Sequence, residues 1–102
     1  MTIAVAPQIA ATLNLSEDEL LEQALASLLR DRKRRALQTR LEILARYGAS
    51  TLSELESMIT DGKATEHPAW EDLIVTENIG AYLEDLDAQL ANLQRSVLNR
   101  TR

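Results

Sequence analysis

Between Ser16 and Gly48 the chain contains neither glycine nor proline. Ser16 followed by Glu19 has the spacing of a capping box, in which each side chain accepts from an orphan backbone N–H at a helix start. Leu15 and Leu20 sit at the flanking staple positions. Glu17, Asp18 and Glu19 place negative charge on the positive end of the helix dipole. Gly48, directly after Tyr47, suits a left-handed helix stop. These signals predict one helix over residues 17–47, roughly 46 Å long at about 1.5 Å per residue. Its leucines fall into two sets. Leu21, Leu25 and Leu28 mark one face, and Leu37, Leu41 and Leu44 mark another. The nine-residue step from Leu28 to Leu37 is a rotation of about 180°, and the stretch RDRKRR lies inside it. A helix that changes its apolar face midway either bends or meets two partners, which disfavours a simple three-helix monomer.

The remaining segments also read as helices. Thr51 with Glu54 repeats the capping spacing, and Leu52, Leu55, Met58 and Ile59 line one face of a short helix over residues 51–61, closed by Asp61-Gly62. The stretch EHPAWED follows. A residue before proline is pushed out of helical geometry, so His67 is extended or capping. Pro68 suits a first helical turn, where Glu71 and Asp72 favour the dipole. Trp70 is then the first large apolar residue of a second long helix over residues 68–100, available as an anchor against the preceding short helix. In that helix Ile79, Leu83, Leu86, Leu90, Leu93 and Val97 recur at alternating steps of four and three, the spacing of a seam against a partner helix. Gly80 is a weak point where a bend fits. At the other end TIAVAP reads as a short extended segment, and PQIAATLNL as one or two helical turns led by Pro7. The expected fold is therefore all-α: two long helices, a short connecting helix and an extended start. Residues 1–15 form an N-terminal arm, a strand or turn suited to dimerising, and residues 16–102 form a single helical domain.

Composition supports this and excludes much. The chain is 45% hydrophobic but only 3% aromatic, with no Phe. Leu and Ala dominate, and both are strong helix formers. Without cysteine there is no disulfide and no thiolate metal site. No apolar run reaches the ~18 residues of a membrane span, and the start lacks the basic head of a signal peptide, so a cytoplasmic protein is expected. No glycine-rich phosphate loop, metal-ligand spacing or nucleophile–base pair is present, which argues against an enzyme and against a cofactor. His67, the only histidine, has Glu66, Glu71 and Asp72 nearby. Its position before Pro68 is explained as a helix junction, whereas a metal would want convergent ligands in rigid geometry.

Charge is distributed in blocks. Residues 1–29 carry −4, residues 30–46 carry +5, residues 47–94 carry −9 and residues 95–102 carry +3, for a net −5. A basic belt followed by an acidic half is a pattern that a partner can read. Trp70 and the seam residues Ile79, Leu83, Leu86, Leu90, Leu93 and Val97 are the candidate protein-binding set. Arg30, Arg32, Lys33, Arg34 and Arg35 are the candidate nucleic-acid set, able to neutralise phosphates, although they spread around the helix axis. The seam fits three occupants: the first long helix, a second copy in a homodimer or higher oligomer, or a foreign protein.

The order of LNLSEDELLEQAL and RYGASTLSELESMITDGKATEHPAWEDLI, across about residues 13–75, resembles small helical antitoxins of prokaryotic type II toxin–antitoxin pairs. The likeness rests on Tyr47-Gly48, the short helix from Thr51, Gly62, and the junction His67, Pro68, Glu71 and Asp72. The resemblance implies binding and neutralising a cognate toxin, often a ribonuclease, and often autoregulation through DNA. The alternative is a homo-oligomeric structural or regulatory protein that touches DNA through residues 30–35.

Overall fold

The computed structural model describes residues 4–100, and every regular element in it is an α-helix. Helix α1 spans Ala6–Leu13, α2 Glu17–Ala45, α3 Leu52–Thr60 and α4 Glu66–Arg100. The molecule is elongated, 59 × 27 × 21 Å, because α2 and α4 lie side by side along most of their length.

The helix boundaries follow from local chemistry. Ser16 Oγ accepts from the Glu19 N–H at 3.1 Å, and the Glu19 carboxylate accepts from the Ser16 N–H at 3.1 Å, completing the capping box. At α3 the second half of the box is displaced. Thr51 Oγ1 accepts from the Glu54 N–H, but Glu54 reaches one residue further back, to the Ser50 N–H at 2.9 Å. Three helices end in the same way. Asn14, Gly48 and Gly62 have φ of 59°, 68° and 75°. At each, two N–H groups fold back onto the last turn: Leu15 to Ala10 and Asn14 to Ala11, Ala49 to Leu44 and Gly48 to Ala45, Lys63 to Met58 and Gly62 to Ile59. This paired pattern is the Schellman motif, and it satisfies carbonyls that the helix leaves orphaned.

The N-terminal start departs from expectation. Ala4 and Val5 form a turn, Val5 is right-handed (φ −91°, ψ −2°), and α1 begins at Ala6 with Pro7 in its first turn. Proline there pre-sets helical φ, so helix replaces the extended segment as far as it is described; Ile3 lies outside the described residues.

The core sits where three helices meet. Leu44 and Ala49 from the α2 end, Leu55 and Ile59 from α3, and Ala69 and Leu73 from the start of α4 form one buried cluster, with Tyr47, Leu52, Met58 and Ala64 packed on it. His67 is extended (φ −113°, ψ 119°), as the following proline requires, and α4 is regular beyond it. The His67–Pro68 peptide is cis. The junction anchor is Ala69, fully buried, not Trp70, which is 42% exposed. A methyl fits the tight space against α3, and the adjacent indole is rotated outward. Gly80 does not bend α4, whose only non-helical residue is His67.

Candidate interaction surfaces

Four polar contacts fix how α4 lies on α2 and the turn that follows it. Tyr47 Oη donates to the Asp72 carboxylate, and Arg46 approaches the same group at 3.7 Å. Lys33 meets Asp87 at 2.7 Å. At the open end Arg100 donates in a fork to Glu22, Nε to Oε1 at 2.6 Å and Nη2 to Oε2 at 2.8 Å. Partners climb α2 as they descend α4, so the pair is an antiparallel hairpin. The hydrogen bond and charge of Arg100 hold the Glu22 carboxyl below its ordinary range. The hydrogen bond to Asp72, reinforced by partial burial and the carboxylate charge, pushes the Tyr47 phenol above 10.

The inner line of α2 is continuous. Glu22, Ala26, Leu29, Lys33, Ala36, Arg40, Ile43 and Tyr47 are each buried or half-buried, at alternating steps of four and three. That is a coiled-coil rhythm, but five of its eight members are charged or small. The expected switch of buried face is therefore corrected. One face of α2 meets α4 throughout, while Leu21, Leu25, Leu28 and Leu41 stay exposed. Two charged members of the line, Glu22 and Lys33, pair across the hairpin with Arg100 and Asp87, and alanine lets the helices approach closely.

The predicted α4 seam turns inward. Leu83 and Leu86 are buried, and Ile79, Leu90, Leu93 and Val97 are half-buried. Its polar member Thr76 is buried and donates to the Asp72 carbonyl at 2.8 Å. Of the three occupants that the seam fits, the first long helix of the same chain takes it.

Outside the seam the first half of α4 carries four large apolar residues in the open. Trp70, Ile74, Val75 and Tyr82 are 42, 54, 44 and 45% exposed. Glu71, Glu77, Glu84 and Asp85 are exposed along the same segment. Of the sequence candidates only Trp70 belongs to this set. In the sequence Ile74, Val75 and Tyr82 are overshadowed by the stronger pattern of the inner seam, which runs through the same segment; the spacing Trp70, Ile74, Asn78, Tyr82 is the signal that marks them.

The basic belt is partly neutralised within the chain. Arg34 and Arg35 both pair with Asp31, and Lys33 with Asp87, while among the described residues Arg30 and Arg32 have no ion-pair partner. Asp31 is consequently held below its ordinary value, first by its hydrogen bond to Arg34 and also by the flanking guanidinium charges. His67 is exposed, with Nδ1 3.4 Å from Glu71. Among the described residues no three metal-type ligands converge, and no helix is long and apolar enough to cross a membrane.

Fold and surfaces define an all-α antiparallel hairpin with exposed apolar residues on both long helices. The chain belongs to the Uncharacterized protein MJ0235 family, whose model matches residues 1–97. No curated protein and no solved structure shows a significant match to it.

Proposed function

We propose that the chain is a non-catalytic protein-interaction module of the cytoplasm, and that it acts as the antitoxin of a ribonuclease-type toxin. The observation that carries this reading is the exposed apolar set of α4. A tryptophan, a tyrosine and two aliphatic residues stand exposed on one helix, with four exposed carboxylates along the same segment. Trp and Tyr are the preferred anchors of protein interfaces, and surrounding acids steer a basic partner. A ribonuclease presents a basic surface to its polyanionic substrate, and an acidic, aromatic-bearing helix competes for that surface. The resemblance of residues 13–75 to helical antitoxins points the same way. The pairing of Lys33 with Asp87, and of Arg34 and Arg35 with the one carboxylate of Asp31, gives DNA contact less support than protein binding.

The test is co-expression with the adjacent reading frame. The proposal expects the two products to copurify and the chain to relieve growth arrest caused by its neighbour. A neighbour that is harmless alone, or that fails to bind, contradicts it.

A further inference from the structure

The exposed leucines of α2 form a different surface from the exposed apolar residues of α4. Leu21, Leu25 and Leu28 are 58, 43 and 52% exposed, although α4 covers the inner line of the same helix. They lie in a run Asp18, Leu21, Leu25, Leu28, Arg32, with steps of three, four, three and four, so all five share one side of the helix. The run has polarity. Its N-terminal end is acidic, with Glu17 and Asp18 both exposed, and its C-terminal end is basic, with Arg32 and Arg35 exposed. Asp18 and Arg32 have no ion-pair partner among the described residues.

Such a stripe is complementary to itself in one direction only. Set antiparallel about Leu25, two copies bury leucine against leucine, and each acidic end falls beside the arginines of the other. Set parallel, acid faces acid and arginine faces arginine. A closed twofold contact uses the same patch on both copies, and this patch meets that requirement. We propose that α2 mediates an antiparallel homodimer through Leu21, Leu25 and Leu28, oriented by Asp18 and Arg32, giving an assembly with four long helices that leaves the exposed apolar residues of each α4 open. This inference is independent of the toxin reading.

Sedimentation velocity over a range of concentrations tests it, with circular dichroism as the check on folding. The wild-type chain is expected to dimerise. Leu25→Asp is expected to raise the dissociation constant on the order of 100-fold, because a symmetric interface feels a central change twice. Asp18→Lys alone and Arg32→Glu alone are each expected to weaken dimerisation roughly five-fold, and the double variant is expected to restore it. These two exposed sites decide the matter should Leu25→Asp fail to fold. A wild-type monomer at all concentrations, a folded Leu25→Asp variant that dimerises normally, or single charge reversals without effect would overturn the proposal.

Discussion

Arg100, in the last turn of α4, grips both carboxylate oxygens of Glu22, in the second turn of α2, across 78 residues of sequence. This fork closes the open end of the hairpin, far from the apolar cluster at the other end. Bidentate arginine pairs have more defined geometry than ordinary surface ion pairs, yet this one is partly solvated, so its contribution is modest. Arg100→Ala is expected to lower the melting temperature by about 1–3 °C. Amide exchange should quicken only near the first turns of α2 and the last turns of α4. Exchange followed by mass spectrometry separates this local fraying from global loss.

Acid pH acts on the same contacts. Glu19, Glu22 and Asp31 are held below their ordinary values of 4.5, 4.5 and 3.8, chiefly by hydrogen bonds from Ser16, Arg100 and Arg34 respectively. A carboxyl whose folded pKa is depressed stabilises the fold fully above its unfolded pKa, and that stabilisation is lost as pH falls through the folded value. Stability should therefore be flat from neutral pH down to about 5 and decline below about 4. Denaturant melts at stepped pH check this, and Glu22→Gln should make the decline shallower.

The alkaline side depends on Tyr47. Its raised pKa means that its contribution is complete below 10 and lost as pH rises through the higher folded value. In a Tyr82→Phe background Tyr47 is the sole phenol. Its ultraviolet titration should then have a midpoint above 10, and Asp72→Asn should bring that midpoint down.

Two substitutions separate core from surface at the α3–α4 junction. Leu55 has no exposed surface, and Leu55→Ala should cost about 3 kcal/mol, the usual penalty for a buried leucine cavity. Trp70→Ala, despite the greater loss of atoms, should cost about 1 kcal/mol or less, because the indole lies on the outer face. Urea melts of both variants measure the difference.

Gly80 lies inside α4, and a methyl group there would meet no side chain or neighbouring helix within 4 Å. Gly80→Ala should raise stability by about 0.5–1 kcal/mol through reduced backbone entropy in the unfolded chain. Comparison of melting curves decides it.

What was legible in the sequence was mostly local. Ser16, Glu19, Gly48, Thr51, Gly62 and Pro68 act on atoms within a few residues, and each marked its boundary. The α4 seam was also legible, since its leucines repeat without interruption. The matching α2 line was not, because Lys33 and Arg40 are charged and Ala36 is small, and the place of Lys33 inside depends on Asp87, which lies far along the chain. The exposed leucines drew the eye to the wrong face. Trp70 misled for a related reason. Size suggested an anchor, while the close approach of α3 and α4 admitted only the methyl of Ala69.

The central claim is that α4 binds its own chain with its seam and a basic protein with its exposed apolar residues. Its most direct test is affinity copurification of the adjacent gene product with the wild-type chain and with a folded Trp70→Ala/Tyr82→Ala variant. Retention by the wild type and loss by the variant is the predicted result. A variant that holds the partner as tightly as the wild type, or a wild-type chain that holds none, contradicts the account.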